Sequence, residues 1–216
     1  MPGGSSRRSG PQPLLAVHRP GDPARAEPLL ESLLSMLRAA GLEAELGLVE
    51  DLASRRGGGE KLLLLMPSRG GHWASLVEAG YRVEMLPVHV WASALAEEAL
   101  HRGAVGVQVV ALEARRLREL QRADLERARR VLSLYGLEAR LVMLPSLSAR
   151  PPRLPGRRWL QAPAAMLPGR LEASACAAAP GRCLGPIMGY AAPRIAAWIV
   201  EAAEGEEPGR EASGAT

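Results

Sequence analysis

The chain contains itself twice. Residues 30–55 (LESLLSMLRAAGLEAELGLVEDLASR) laid over residues 125–150 (LERARRVLSLYGLEARLVMLPSLSAR) match at 10 of 26 positions without a gap, at an offset of 95, and share the run GLEA-x-L. Extending the register backwards sets PLLAVHRPGD onto QVVALEARRL, so the apolar run Leu14 to Val17 falls on Val109 to Leu112 and His18 falls on Glu113. A chain of 216 residues built from two such units is expected to form two similar α/β domains sharing an interface, each with its own core. The halves have diverged at the position where chemistry would sit.

Alternating apolar and helical periodicities set the order of elements. Strands are expected at 13–17, 43–49, 61–66 and 82–86, with helices at 24–40, 72–80 and 91–102. The second unit repeats this order with a strand at 105–112, a helix at 114–135, strands at 138–144 and near 158–162, and helices near 168–178 and 190–203. KLLLLM at 61–66 lacks polar alternation, so both faces of that strand should be covered by helices, as in a doubly wound parallel sheet. The expected domains are 12–103 and 104–204, with disordered tails at 1–11 and 205–216, where Gly, Ser, Pro and charge leave little to bury. Gly41 and Gly136 are expected to end the two matching helices.

Composition narrows the partners. Hydrophobic residues make up 47% but aromatics only 3%, with no Phe, so the core is Leu, Val and Ala, and no aromatic platform exists for stacking single-stranded nucleic acid. A net charge of +4 favours an anionic ligand without specifying one. The N-terminus has no signal-peptide core and no apolar run approaches spanning length, so a cytoplasmic protein with no membrane partner is expected. Cys176 and Cys183 in CAAAPGRC match no zinc or cluster spacing; they are expected to be free, with a disulfide as the alternative in a hyperthermophile.

In an open parallel sheet, ligands bind beyond the carboxyl ends of the strands. His18 follows the first strand and His72 follows the third, so neighbouring strands would bring both imidazoles to one cavity. Neutral imidazoles accept protons near pH 7 and bind divalent cobalt, nickel, zinc or ferrous iron. The simpler alternative is that each histidine satisfies its own turn. Glu113 could face the cleft as a proton acceptor, although an acid initiating the next helix is the favoured reading. His89, in the loop after Pro87, is a secondary candidate, and His101 suits the dipole at a helix end.

The segments AVHRPGDPARAEPLLESLLSML, LLLLMPSRGGHWASLVEAG and MLPVHVWASALAEEALHRGA together resemble the class II chelatases, the sirohydrochlorin cobaltochelatase and ferrochelatase group. The second half shows the same grammar in WLQAPAAMLPGRLEASA and CLGPIMGYAAPRIAAWIVEAA, with the Gly-His step replaced by Gly169-Arg170, as in two-domain members that keep the histidines in one half. The resemblance implies a chelatase-like fold and insertion of divalent cobalt, nickel or iron into a tetrapyrrole. His18 and His72 would then accept pyrrole protons or ligate the incoming metal, with no tightly bound cofactor. Arg19, Arg69 and Gly71 would contact the substrate, with Arg25 more simply solvated, and the chain would act as a monomer or homodimer. Arg19 and Trp73 depart from the family pattern, and the turn from Pro67 to His72 is short; inward-facing, these two bulky side chains would plug the mouth. Two other functions remain open: a non-catalytic tetrapyrrole- or metal-binding homologue, and a phosphate- or nucleotide-binding enzyme using Gly57 to Gly59 or Gly70-Gly71. The latter turns lack the lysine and hydroxyl of a P-loop.

Overall fold

The structure, a computed structural model, describes residues 12–205. The first half runs β1 (Leu14–Val17), α1 (Pro23–Ala39), β2 (Glu45–Leu48), α2 (Val49–Ala53), β3 (Lys61–Leu64), α3 (Gly71–Glu78), β4 (Arg82–Met85) and α4 (Val88–His101). The second runs β5 (Gly106–Leu112), α5 (Arg118–Leu134), β6 (Glu138–Leu144), β7 (Trp159–Pro163), α6 (Arg170–Ala178) and α7 (Met188–Glu204). Both sheets are wholly parallel, in the orders β2-β1-β3-β4 and β6-β5-β7. The α/β architecture with two similar parallel sheets is therefore as expected. The tails at 1–11 and 206–216 lie outside the described residues, and Gly205 closes α7.

Period-two alternation explains why the strands read as unbroken apolar runs. Leu15, Val17, Leu63 and Leu65 point into one core, while Ala16, Leu62 and Leu64 point into another with Val49, Leu52, Leu76 and Tyr81. The first of these cores does not stop at the half. Leu33, Leu37, Trp91 and Leu95 from α1 and α4 pack in the same cluster as Leu125, Leu132, Ile195 and Ile199 from α5 and α7. The two units thus cover each other's inner helices. The outer face of the second sheet is smaller, holding Val110, Leu144 and Ala175.

The duplication persists in local detail. Gly41, at φ 82°, turns the chain so that the Leu42 N–H reaches the Leu37 carbonyl at 2.9 Å, and Gly136, at φ 78°, does the same for Leu137 and Leu132 at 3.2 Å. Asp22 caps α1 by accepting from the Arg25 N–H at 3.3 Å, with Pro23 opening the helix.

Three expectations need correction. The short helix α2 was not anticipated; it occupies the five residues after β2, which the strand reading took partly as sheet. The helix expected from 114 starts only at Arg118, because Leu117 adopts a left-handed backbone at φ 61° and Gln121 pins the preceding turn, donating to the Leu112 carbonyl and accepting from the Ala114 N–H, both at 2.8 Å. The cysteines are not free: Cys176 and Cys183 form a disulfide, their Cα atoms 5.0 Å apart. The bridge joins α6 to a segment that pairs with β7 through the single bridge Gln161 to Cys183, the remnant of a fourth strand.

Among the described residues no helix is long and apolar enough to cross a membrane. Trp91 is fully buried and its indole N–H has no partner among the described residues, so its contribution is packing. Trp91→Ala should cost about 3–5 kcal/mol in urea unfolding. A loss under about 1 kcal/mol would show that the inter-half core is not centred there. Opening the disulfide, by a dithiol or in the C176S/C183S variant, should cost about 2–3 kcal/mol for a loop of this length while leaving the protein folded, as read by thermal melting.

Candidate functional site

β1 and β3 are hydrogen-bonded neighbours, Leu14 pairing with Leu62 and Ala16 with Leu64, so their carboxyl ends open side by side. His18 follows β1 directly, and His72 is the second residue of α3. Their ring centroids lie 5.9 Å apart with the planes inclined at 62°. The structure thus brings together the pair expected from the sequence. An ion about 2.0–2.1 Å from one nitrogen of each ring would place the ring centres up to roughly 6 Å apart, so the separation suits two imidazoles meeting at one metal.

The environment of His18 favours the neutral imidazole over the charged form. Burial lowers its pKa from the ordinary 6.5, the neighbouring His72 lowers it further, and the Glu50 carboxylate opposes both. The buried Nδ1 has no hydrogen-bond partner among the described residues, so the imidazole is not spent on satisfying its turn. That turn is held from elsewhere: the Arg19 N–H donates to the Glu50 carboxylate at 3.1 Å and 3.3 Å. Glu50, on α2, was missed because that helix was missed.

The arginines expected to meet substrate are occupied. Arg19 turns outward to Asp51 at 3.1 Å. Arg69 donates its N–H, Nε and Nη2 to Asp124 at 2.9 Å, 3.0 Å and 2.8 Å, and Asp124 is only 2% exposed. Its Nε and Nη2 bonds raise the Arg69 pKa further. Arg25 forks onto the buried Glu172 at 3.2 Å and 2.9 Å, against the expectation that it is merely solvated. Both pairs cross between the halves. Asp124 lies on the buried stripe of α5 with Gln121, Leu125 and Ala128, and a carboxylate at such a position is a sequence sign of a buried partner.

The remaining candidates separate from the histidines. Gly71 opens α3 with free space around its Cα, which keeps the approach to His72 clear. Glu113 follows β5 directly, five residues before α5, and pairs with Arg118; it does not start a helix, since Glu119 is the acid in that first turn. His89 is exposed on α4 and its side chain makes no hydrogen bond or ion pair with the described residues, while His101 occupies the last turn of α4 as expected. Trp73 packs against the outer core of the first sheet and does not plug the site. The amides of Gly57 and Gly59 donate to the Ala79 and Gly80 carbonyls at 2.7 Å and 3.2 Å, which removes them as a phosphate cradle.

The second half closes on this edge. A Cβ built on Gly21 would stand 3.1 Å from the Gly169 Cα, and one on Gly70 would stand 3.7 Å from the Ala114 Cβ. The histidine turn and the start of α3 therefore each abut the other unit.

The chain is similar in structure to CbiX, described as the terminal enzyme for biosynthesis of siroheme in denitrifying bacteria, at 21% identity and a TM-score of 0.57 over 90% of this chain and 99% of that one. The fold is chelatase-like. DR2241 from Deinococcus radiodurans, a multi-domain protein with structural similarity to chelatases, matches at 20% identity and a TM-score of 0.45 over 93% of this chain and 56% of its own. No protein-family model and no curated protein matches the sequence.

In this chelatase-like fold the lowered His18 pKa has a signed consequence for stability. In the unfolded chain His18 takes up a proton near its ordinary value of 6.5, before the native state does, so stability present above that pH is lost as pH falls from 6.5 towards the lower native value. Unfolding free energies measured across this window should decline, and in His18→Gln the decline should be shallower. An unchanged slope in the variant would show that His18 is not the group responsible.

Proposed function

We propose that the protein inserts a divalent metal, cobalt, nickel or ferrous iron, into sirohydrochlorin or a closely related tetrapyrrole. The observation that carries this reading is the pair His18 and His72 at 5.9 Å, with a buried, unpartnered Nδ1 on His18. The similarity to a protein described as completing siroheme biosynthesis supports a tetrapyrrole as the other reactant.

Metallation requires two pyrrole N–H protons to leave while the ion sheds water. A histidine kept neutral by burial accepts a proton at neutral pH and equally offers a lone pair to the ion. His18 is held for this task by the Glu50 bond to the adjacent Arg19 N–H, and His72 by its place in the first turn of α3. Two protein ligands leave most of an ion's coordination positions open, which suits a metal that must be handed on. The metal is a substrate here, so its identity depends on supply as much as on the imidazoles.

Purified protein mixed with sirohydrochlorin and Co²⁺, Ni²⁺ or, without oxygen, Fe²⁺ should change the absorption spectrum faster than the spontaneous reaction. His18→Ala and His72→Ala should each slow the catalysed rate by roughly 10²-fold or more. A wild-type rate equal to the protein-free control would sink the enzymatic reading.

A further inference from the structure

Taking the chelatase reading as its basis, we propose that Arg115 and Arg170, both from the half without histidines, form the rim that recognises the carboxylates of the tetrapyrrole. Arg115 follows Ala114, whose Cβ stands 3.7 Å from where a Cβ on Gly70 would lie, two residues before His72. Arg170 follows Gly169, the residue in backbone contact with Gly21 in the His18 turn. Each arginine therefore leaves the second unit beside one of the two histidine-bearing segments.

These two differ from their neighbours in charge pairing. Arg19, Arg25, Arg69, Arg116 and Arg118 each have a carboxylate: Asp51, Glu172, Asp124, Glu78 and Glu113. Arg115 and Arg170 are exposed and have no partner among the described residues.

Neither position is explained by stability. Arg170 is the first residue of α6, where the helix dipole disfavours a cation, and the acid in that turn, Glu172, is committed to Arg25. Arg115 belongs to the turn that holds Leu117 in a left-handed backbone, which a leucine adopts only under constraint. That turn sends Arg116 to Glu78 and Arg118 to Glu113 and leaves Arg115 unmatched.

The repeat register gives the two halves complementary tasks. In that register His18 is replaced by Glu113, and where α3 opens after Gly70 with Gly71-His72, α6 opens after Gly169 with Arg170-Leu171, without a histidine. An imidazole can take a proton from a pyrrole; a guanidinium cannot, but its planar fork fits a carboxylate. The first unit would perform the proton and metal chemistry while the second orients a polyanionic macrocycle over it.

Binding of metal-free uroporphyrin, an octacarboxylate, and deuteroporphyrin, a dicarboxylate, can be followed by fluorescence for the wild type, the Arg115→Ala/Arg170→Ala double variant and Arg38→Ala, a control at the far end of α1. The double variant should bind the octacarboxylate roughly tenfold more weakly or worse, with a flatter salt dependence, and should lose the preference over the dicarboxylate. In metal insertion its defect should lie in KM more than in kcat. Equal octacarboxylate binding by wild type and double variant would overturn the rim while leaving the chelatase reading standing. If the wild type binds neither porphyrin, the chelatase reading fails and the rim with it. An equal loss in Arg38→Ala would also overturn the rim, because the effect would then be one of overall charge.

Discussion

The structure depends on one burial requirement: two parallel sheets each carry an inner layer of helices whose outward stripes are too apolar for water, and they satisfy this by packing on each other. α1 and α4 meet α5 and α7 around Trp91, Leu33, Leu37, Leu125, Leu132 and Ile195. With no Phe and few other aromatics, this contact is made mainly of branched aliphatics and alanines, which allow helices to approach closely. The same packing brings the carboxyl edges of both sheets to one seam, and the histidine pair sits there because β1 and β3 are neighbours.

Apolar packing alone leaves the lateral fit of two such surfaces loosely specified. Charged pairs supply the missing register. Asp124 and Glu172 are nearly inaccessible to water, and a carboxylate in such a place is tolerable only with directed partners. Arg69 and Arg25 reach across to provide them, so sliding one half past the other would strand two buried charges. Arg69, which a sequence reading assigns to substrate, and Arg25, which it leaves in solvent, are thus part of the joint that shapes the site.

Much of this was legible from residues alone. Uninterrupted apolar runs at Leu62 to Leu65 announced a strand covered on both faces, paired glycines at 41 and 136 announced helix ends, and histidines after two strands announced the convergence. What stayed hidden has a common physical origin in long-range partners. α2 is too short to show a period, and its Glu50 acts on the Arg19 amide, 31 positions away, and on the neighbouring His18. The pairing of Arg69 with Asp124 spans 55 positions and that of Arg25 with Glu172 spans 147, so neither is visible in any local window. The disulfide was obscured for another reason: spacing excluded metal motifs but carried no information about the single-residue bridge that sets Cys183 against β7, within reach of Cys176 on α6.

Gly21 meets Gly169 with main chain against main chain, only 3.1 Å separating a notional methyl on the former from the latter's Cα. Neither glycine carries a side chain to act as a spacer between the lips of the seam at that point. One added methyl on Gly21 would press on the Gly169 backbone and force a small local shift of the two lips. Under the proposed function, the spacing of these lips is set by backbone atoms and the chemistry by two side chains, all within one polypeptide.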